Sequence, residues 1–210
     1  MIRRVAWACL ALVAWALVGC SSVPPARLAV SEGLDRYALD ARFGLRDQRD
    51  KGQSFSGRVQ WHHGETGDRV LLQDPFGGGV AELTDYGRGA RMVLANGEVS
   101  EAADAPQLMA ELTGVALPLR KVARWLSGRA LPPQGVERDA LGRPVQFEAE
   151  GWTVRYEYEG QAAGDADLLP ARVFAAHRQG IELRMAIESW RLDAPSLSPG
   201  THLNVSPPTN

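Results

Sequence analysis

The chain has 210 residues, 23 Lys and Arg against 25 Asp and Glu, a formal charge of -2, 45% hydrophobic content and two cysteines. That length suits one domain or two small ones. The charge argues against a protein built to neutralise many phosphates, and two cysteines make neither a disulfide framework nor a four-ligand zinc site.

The hydrophobic residues are not evenly spread. Arg3 and Arg4 precede Val5 to Val18, an uncharged apolar run that falls short of the roughly 20 residues a membrane span needs. A basic start, a short apolar run and small residues after it predict a secretory signal peptide over 1–19. The run ends Leu17-Val18-Gly19-Cys20, which resembles the lipobox of bacterial lipoproteins, where cleavage falls before a cysteine that is then acylated. Cys20 is the expected lipidation site, and Cys9 is an apolar residue of the leader. One acyl chain binds a membrane marginally, whereas several anchor it stably. Ser21 follows, where the sorting rule of Gram-negative lipoproteins places aspartate for inner-membrane retention, so the periplasmic face of the outer membrane is implied. Residues 20–33, with Pro24 and Pro25, read as a tether.

The main domain is expected over 34–193. Tyr37, Leu39, Ala41, Phe43 and Leu45 alternate with more polar residues, the period of a half-buried strand, and Phe55, Val59 and Trp61 continue it. After a turn at Gly64 to Asp68 come strands at Val70 to Gln73 and Val80 to Thr84. Arg91 to Ala95 and Glu98 to Ala102 flank Asn96-Gly97, a strong hairpin signal. Ala105, Leu108, Met109 and Leu112 then switch to helical spacing, as do Leu119, Val122, Ala123 and Leu126. Asp104 with Gln107 three positions on predicts an N-cap, Gly114 a stop, Pro118 the first turn of the second helix and Gly128 its end. Five more strands are predicted at Glu137 to Leu141, Val145 to Ala149, Thr153 to Tyr158, Arg172 to Ala176 and Ile181 to Ile187. Residues 194–210 hold Pro195, Pro199, Pro207 and Pro208 among polar residues and read as a disordered tail. The expected class is mainly β, α+β by segregation: a bent antiparallel sheet forming an incomplete barrel, with two helices covering one mouth or face.

No catalytic pattern stands out. The chain lacks G-x-S-x-G, a phosphate-loop lysine pattern and H-E-x-x-H. His62 and His63 are adjacent and on a strand would point to opposite faces. Surface or turn positions are expected for these and for His177 and His202. Glu157 with Glu159 and Asp165 with Asp167 read as solvated pairs. Apolar residues draw more attention. Asp74-Pro75-Phe76-Gly77 fits a type I turn and places an aromatic where polar residues are expected. Phe76 either projects from the tip or folds back to plug the core; the glycines at 77–79 predict a mobile tip.

Read together, the lipobox, Trp61, the run Arg69-Val70-Leu71-Leu72-Gln73-Asp74-Pro75-Phe76-Gly77, Leu112-Thr113-Gly114, Leu117-Pro118-Leu119, Trp125-Leu126-Ser127-Gly128, Gly151-Trp152 with Tyr156, Leu169-Pro170, and Ile181-Glu182-Leu183 to Trp190 resemble the LolB family. The spacing from Gly114 through Pro118 and Trp125 to Gly128 is the most specific element. The resemblance implies a half-open antiparallel β-barrel of about 11 strands with a short helical lid. It implies a receptor that takes triacylated lipoproteins from the periplasmic carrier LolA into a hydrophobic cavity and inserts them into the outer membrane without ATP. Phe76 matches a position where the family often has leucine, on a loop that helps push acyl chains into the membrane. The tail beyond Trp190 departs from the family pattern.

Inward-facing Phe43, Trp61, Trp152, Val154 and Tyr156 are the candidate cavity wall, with Leu119, Val122, Trp125 and Leu126 as the lid face. Each could equally belong to a filled core, since a barrel of this size is packed or holds one ligand. The implied partners are LolA, the acyl chains of outer-membrane lipoproteins and the outer membrane, with the chain acting as a monomer, without nucleic acid, cofactor or metal and without catalytic residues. The competing reading is a lipoprotein scaffold subunit of an envelope assembly machine with a packed core.

Overall fold

The computed structural model describes residues 36–49, 54–128, 135–159 and 169–192. The expected leader, Cys20 with its tether, the 194–210 tail, Asp165, Asp167 and His202 lie outside the described residues.

Eleven strands are present, most of them alternating inward apolar residues with outward polar ones: β1 (Tyr37–Asp47), β2 (Ser54–Gly64), β3 (Gly67–Gln73), β4 (Gly79–Asp85), β5 (Ala90–Leu94), β6 (Val99–Ala102), β7 (Glu137–Arg138), β8 (Pro144–Ala149), β9 (Trp152–Glu157), β10 (Arg172–His177) and β11 (Ile181–Arg191) among the described residues. On β1, Tyr37, Leu39, Ala41 and Leu45 are buried while Arg42 and Arg46 are exposed. The register Leu39↔Trp61 and Ala41↔Val59 carries the same inward face across to β2. One sheet runs β6-β5-β4-β3-β2-β1-β11-β10-β9-β8-β7, antiparallel throughout. Two meanders, one from each half of the chain, are thus stitched together where β1 pairs with β11.

The edges are β6 and β7, and they are neighbours in sequence on either side of the helical insertion. The chain leaves the sheet where closure would occur, so the barrel stays half open. Both edge strands are short, which limits the template they offer to other chains. β7 is shorter than the predicted Glu137 to Leu141. The Asp139 carboxylate accepts the N–H groups of Leu141 and Arg143, each at 2.9 Å, and turns the chain after two residues. The β2–β3 turn is tighter than expected, because Gly64 pairs with Gly67 and Asp68 becomes a buried strand residue.

Two helices follow β6: α1 (Ala105–Thr113) and α2 (Leu119–Leu126). The Asp104 side chain caps α1 by accepting the Gln107 N–H at 3.0 Å, and Gly114 ends it with φ 77°. The Gln107 side chain does not complete a reciprocal box; it points toward Glu111 at 3.5 Å. Pro118 sits one position earlier than predicted, as the N-cap of α2. Ala105, Leu108 and Met109 of α1 and Leu119, Val122, Ala123, Trp125 and Leu126 of α2 are buried, joining one hydrophobic core with the concave face of the sheet.

Candidate functional site

The concave face and the helices enclose a cavity of about 30 Å³ with a wholly apolar lining. Phe43 and Leu45 come from β1, Val59 and Trp61 from β2, Val70 and Leu72 from β3, and Leu183 and Met185 from β11; Met109, Leu117 and Leu119 close it from the helical segment. Such a volume is about one water's share of liquid, in a setting where water has no polar partner. It is roughly tenfold below the 300 Å³ at which small-ligand pockets begin.

The expected wall and lid residues fall into two groups. Phe43, Trp61 and Leu119 line the cavity. Trp152, Val154, Tyr156, Val122, Trp125 and Leu126 are buried in the same core but are not part of that lining. There the Trp125 ring lies 5.8 Å from Phe147 and 5.9 Å from Trp152, and Phe147 stacks 6.1 Å from Tyr156, so the aromatic end is filled. Sequence reasoning misses Leu45, Val59, Val70, Leu72, Leu183 and Met185 as wall residues, although strand parity turns them inward, and Met109 on the apolar face of α1. Leu117 lies between the helices, where no period marks it.

A polar cluster orients the wall. Asp68 is 1% exposed, and its Oδ1 accepts the Trp61 indole N–H at 2.8 Å and faces His63 Nδ1 at 2.7 Å. A buried indole N–H needs such a partner, and this one sets the ring that forms part of the cavity wall. His63, expected at the surface, is held under Tyr37 at a centroid distance of 5.0 Å.

Two buried hydroxyls reach the lid. Tyr37 donates to the Ala123 carbonyl at 2.6 Å and Tyr156 to the Trp125 carbonyl at 2.7 Å. Burial, with Asp68 and Tyr156 adding to it, pushes the Tyr37 phenol well up, and burial with nearby Tyr158 does the same to Tyr156. Both therefore remain protonated donors.

Phe76 is 98% exposed. The tip beneath it is tied rather than free: Asp74 Oδ1 accepts the N–H groups of Phe76 at 2.7 Å and Gly78 at 3.0 Å, while Gly77 N–H reaches the Asp74 carbonyl at 3.0 Å and Asp74 N–H the Gly78 carbonyl at 2.8 Å. Gly77 has φ 94°, and a Cβ on Gly78 would stand 2.5 Å from Asp74 Oδ2. These glycines let the backbone close on Asp74 at the tip. Among the described residues, no group of three or more His, Cys, Asp or Glu is placed to hold a metal.

The fold and the site define a class: half-open antiparallel barrels with a helical lid over an apolar interior. The family described as Outer membrane lipoprotein LolB matches residues 35–190, and the chain belongs to that family. Relatives described as Outer-membrane lipoprotein LolB include one from Dechloromonas aromatica, 37% identical over 179 residues, 83% of this chain and 92% of the relative. Another, from Thiobacillus denitrificans, is 34% identical over 194 residues, 90% of this chain and 98% of its own. A solved LolA superfamily protein from Nitrosomonas europaea superposes at TM-score 0.45 and 12% identity over 77% of this chain and 88% of that one.

Proposed function

We propose that the protein receives the acyl chains of lipoproteins from the periplasmic carrier LolA beneath its lid and releases them into the outer membrane, where Cys20 anchors it on the periplasmic face. The observation that carries this reading is Phe76, a large aromatic 98% exposed on a hydrogen-bonded tip. A soluble surface gains nothing from that placement. A membrane does, since burying such a side chain is worth about 1.5–3 kcal/mol. The apolar cavity supports the other half: triacylated cargo exposes dozens of methylenes at about 0.8 kcal/mol each, and transfer between two apolar interiors needs no ATP and no covalent step. A difference of about 1.4 kcal/mol between them shifts the distribution tenfold.

Phe76→Glu is expected to keep the parent's melting temperature and its uptake of cargo from the carrier, but to slow insertion into liposomes about tenfold or more, measured by cargo recovered in the vesicle fraction. Unchanged insertion removes the role given to Phe76. The cavity's small volume favours a second reading, a packed scaffold subunit. A fluorescent fatty acid separates the two, because a scaffold shows no saturable binding displaced by lipoprotein.

A further inference from the structure

We propose that Tyr37 and Tyr156 form a two-point latch that holds α2 shut over the cavity, and that its release gates acyl uptake. The ligand in this inference rests on the acyl-binding reading above, whereas the latch stands on geometry alone.

A helix leaves its last four carbonyls without intrahelical partners, and α2 spans only eight residues. Two of those end carbonyls are claimed by the sheet. Ala123 receives the Tyr37 hydroxyl at 2.6 Å; Trp125 receives the Tyr156 hydroxyl at 2.7 Å along with the Gly128 N–H at 2.8 Å. The tyrosines stand on β1 and β9, with β11 and β10 between them. Three strand spacings in a flat sheet are about 14 Å, and the register Tyr156↔Val173, Val173↔Met185, Met185↔Phe43 leaves Tyr37 six residues, about 20 Å, further along the strands, yet the two carbonyls sit only two residues apart, about 3 Å along a helix. Both contacts therefore require a curled sheet and a seated helix together. They report closure of the lid, not local packing of either strand.

The latch also lies where opening must act. Leu119, on the same helix, closes the cavity together with Met109 and Leu117, and an acyl chain cannot occupy about 30 Å³ unless the helical segment that carries them moves. A further tie between α2 and the sheet, the exposed Lys121–Glu150 ion pair, belongs to a kind that holds weakly. When α2 swings out, carbonyls and hydroxyls alike meet water, so the latch sets a modest, adjustable closed-to-open ratio. The apolar face of α2 can then exchange sheet contacts for methylene contacts.

Removing one hydroxyl leaves a buried carbonyl unpaired in the closed state only. Tyr37→Phe should shift the ratio about tenfold, the equivalent of ~1.4 kcal/mol. Tyr156→Phe should shift it less, about threefold, because Trp125 keeps the Gly128 N–H. Hydrogen exchange on the full chain carrying Cys20→Ala tests this, with the two single variants, the double variant and Leu83→Ala as a control destabilised within β4. The expected result is faster exchange of α2 amides in that order of size, with the β1 and β9 ladders unchanged. Association of a fluorescent fatty acid should accelerate in parallel, whereas Leu83→Ala should not accelerate it. Unchanged α2 exchange in the double variant, or an increase spread equally over the sheet, overturns the latch. So does faster exchange without faster association in a parent that binds the probe, since the gating role is then lost. A parent that binds no probe defeats the acyl-binding reading instead, and α2 exchange still decides the latch.

Discussion

Asp68 shows how much one side chain organises. It is buried, and a single oxygen serves both Trp61 and His63. Asp68→Ala leaves the indole N–H and the imidazole unpaired inside the core, each at about 1–3 kcal/mol, so a loss of about 2–4 kcal/mol in urea unfolding is expected, with altered Trp61 emission. Asp68→Asn keeps an acceptor of the same shape and should restore at least half of that loss; a cost below about 0.5 kcal/mol for the alanine variant would show that the carboxylate does not set the ring. Little of this was legible beforehand. A carboxylate beside Gly67 reads as turn chemistry, and only the tight Gly64–Gly67 pairing pulls Asp68 into the ladder. Phe76 was half legible: the turn type followed from Asp74, Pro75 and Gly77, but whether the ring pointed out or in depended on the bonds that hold Asp74.

At the scale of elements, glycines that look alike in a strand have opposite consequences. A Cβ on Gly57 would stand 2.0 Å from the Gln73 carbonyl oxygen, which is backbone and cannot yield. Gly57→Ala must therefore part β2 from β3, and a loss beyond about 3 kcal/mol is expected. Nothing lies within 4 Å of a Cβ on Gly44, so Gly44→Ala should be neutral or stabilise by about 0.4–1 kcal/mol. Thermal melts of the two variants check the contrast, and equal effects would contradict the strand spacing. The strands themselves were largely readable, because alternation survives wherever one face is buried. β7 was not, since its length is decided by the Asp139 carboxylate turning back on Leu141 and Arg143.

The whole molecule is tuned for neutral pH. Burial opposes the charges of Asp40 and Asp139, but Arg191 with Ser189 and Arg143 with nearby backbone N–H groups outweigh it, and both carboxyls are held below their usual range. Arg42 does the same for Glu188, helped by Arg58. Burial, then Arg191 and Arg69, lowers His62. In every case the folded chain prefers the deprotonated form, so the unfolded chain binds more protons and stability falls as the pH is lowered. The His62 contribution should be lost first, below about pH 6.5, and the carboxylates below about pH 4. Urea midpoints from pH 7 to 3 should show two steps, with His62→Gln flattening the upper one; a level profile would refute the assignment. Loss of the expected leader would take Arg3 and Arg4 with it and move the formal charge from -2 to -4, leaving the chain acidic at neutral pH.

Order, alternation and punctuation were properties of the sequence alone. Strand parity put Phe43, Trp61 and Trp152 on inward faces, helical spacing marked the lid, and the Gly114 to Gly128 pattern pointed to the LolB family, because each depends on residues close in the chain. Tertiary structure decided what distant segments do to one another. The pairing of β1 with β11 curls two meanders into one trough. That curl brings the Tyr37 and Tyr156 hydroxyls to the same short helix, fills the Trp125–Trp152 end and leaves the gap beside Trp61. Inward parity says which way a side chain points, whereas filled or open depends on how far the opposite wall stands away, and that distance is set by curvature no local pattern encodes.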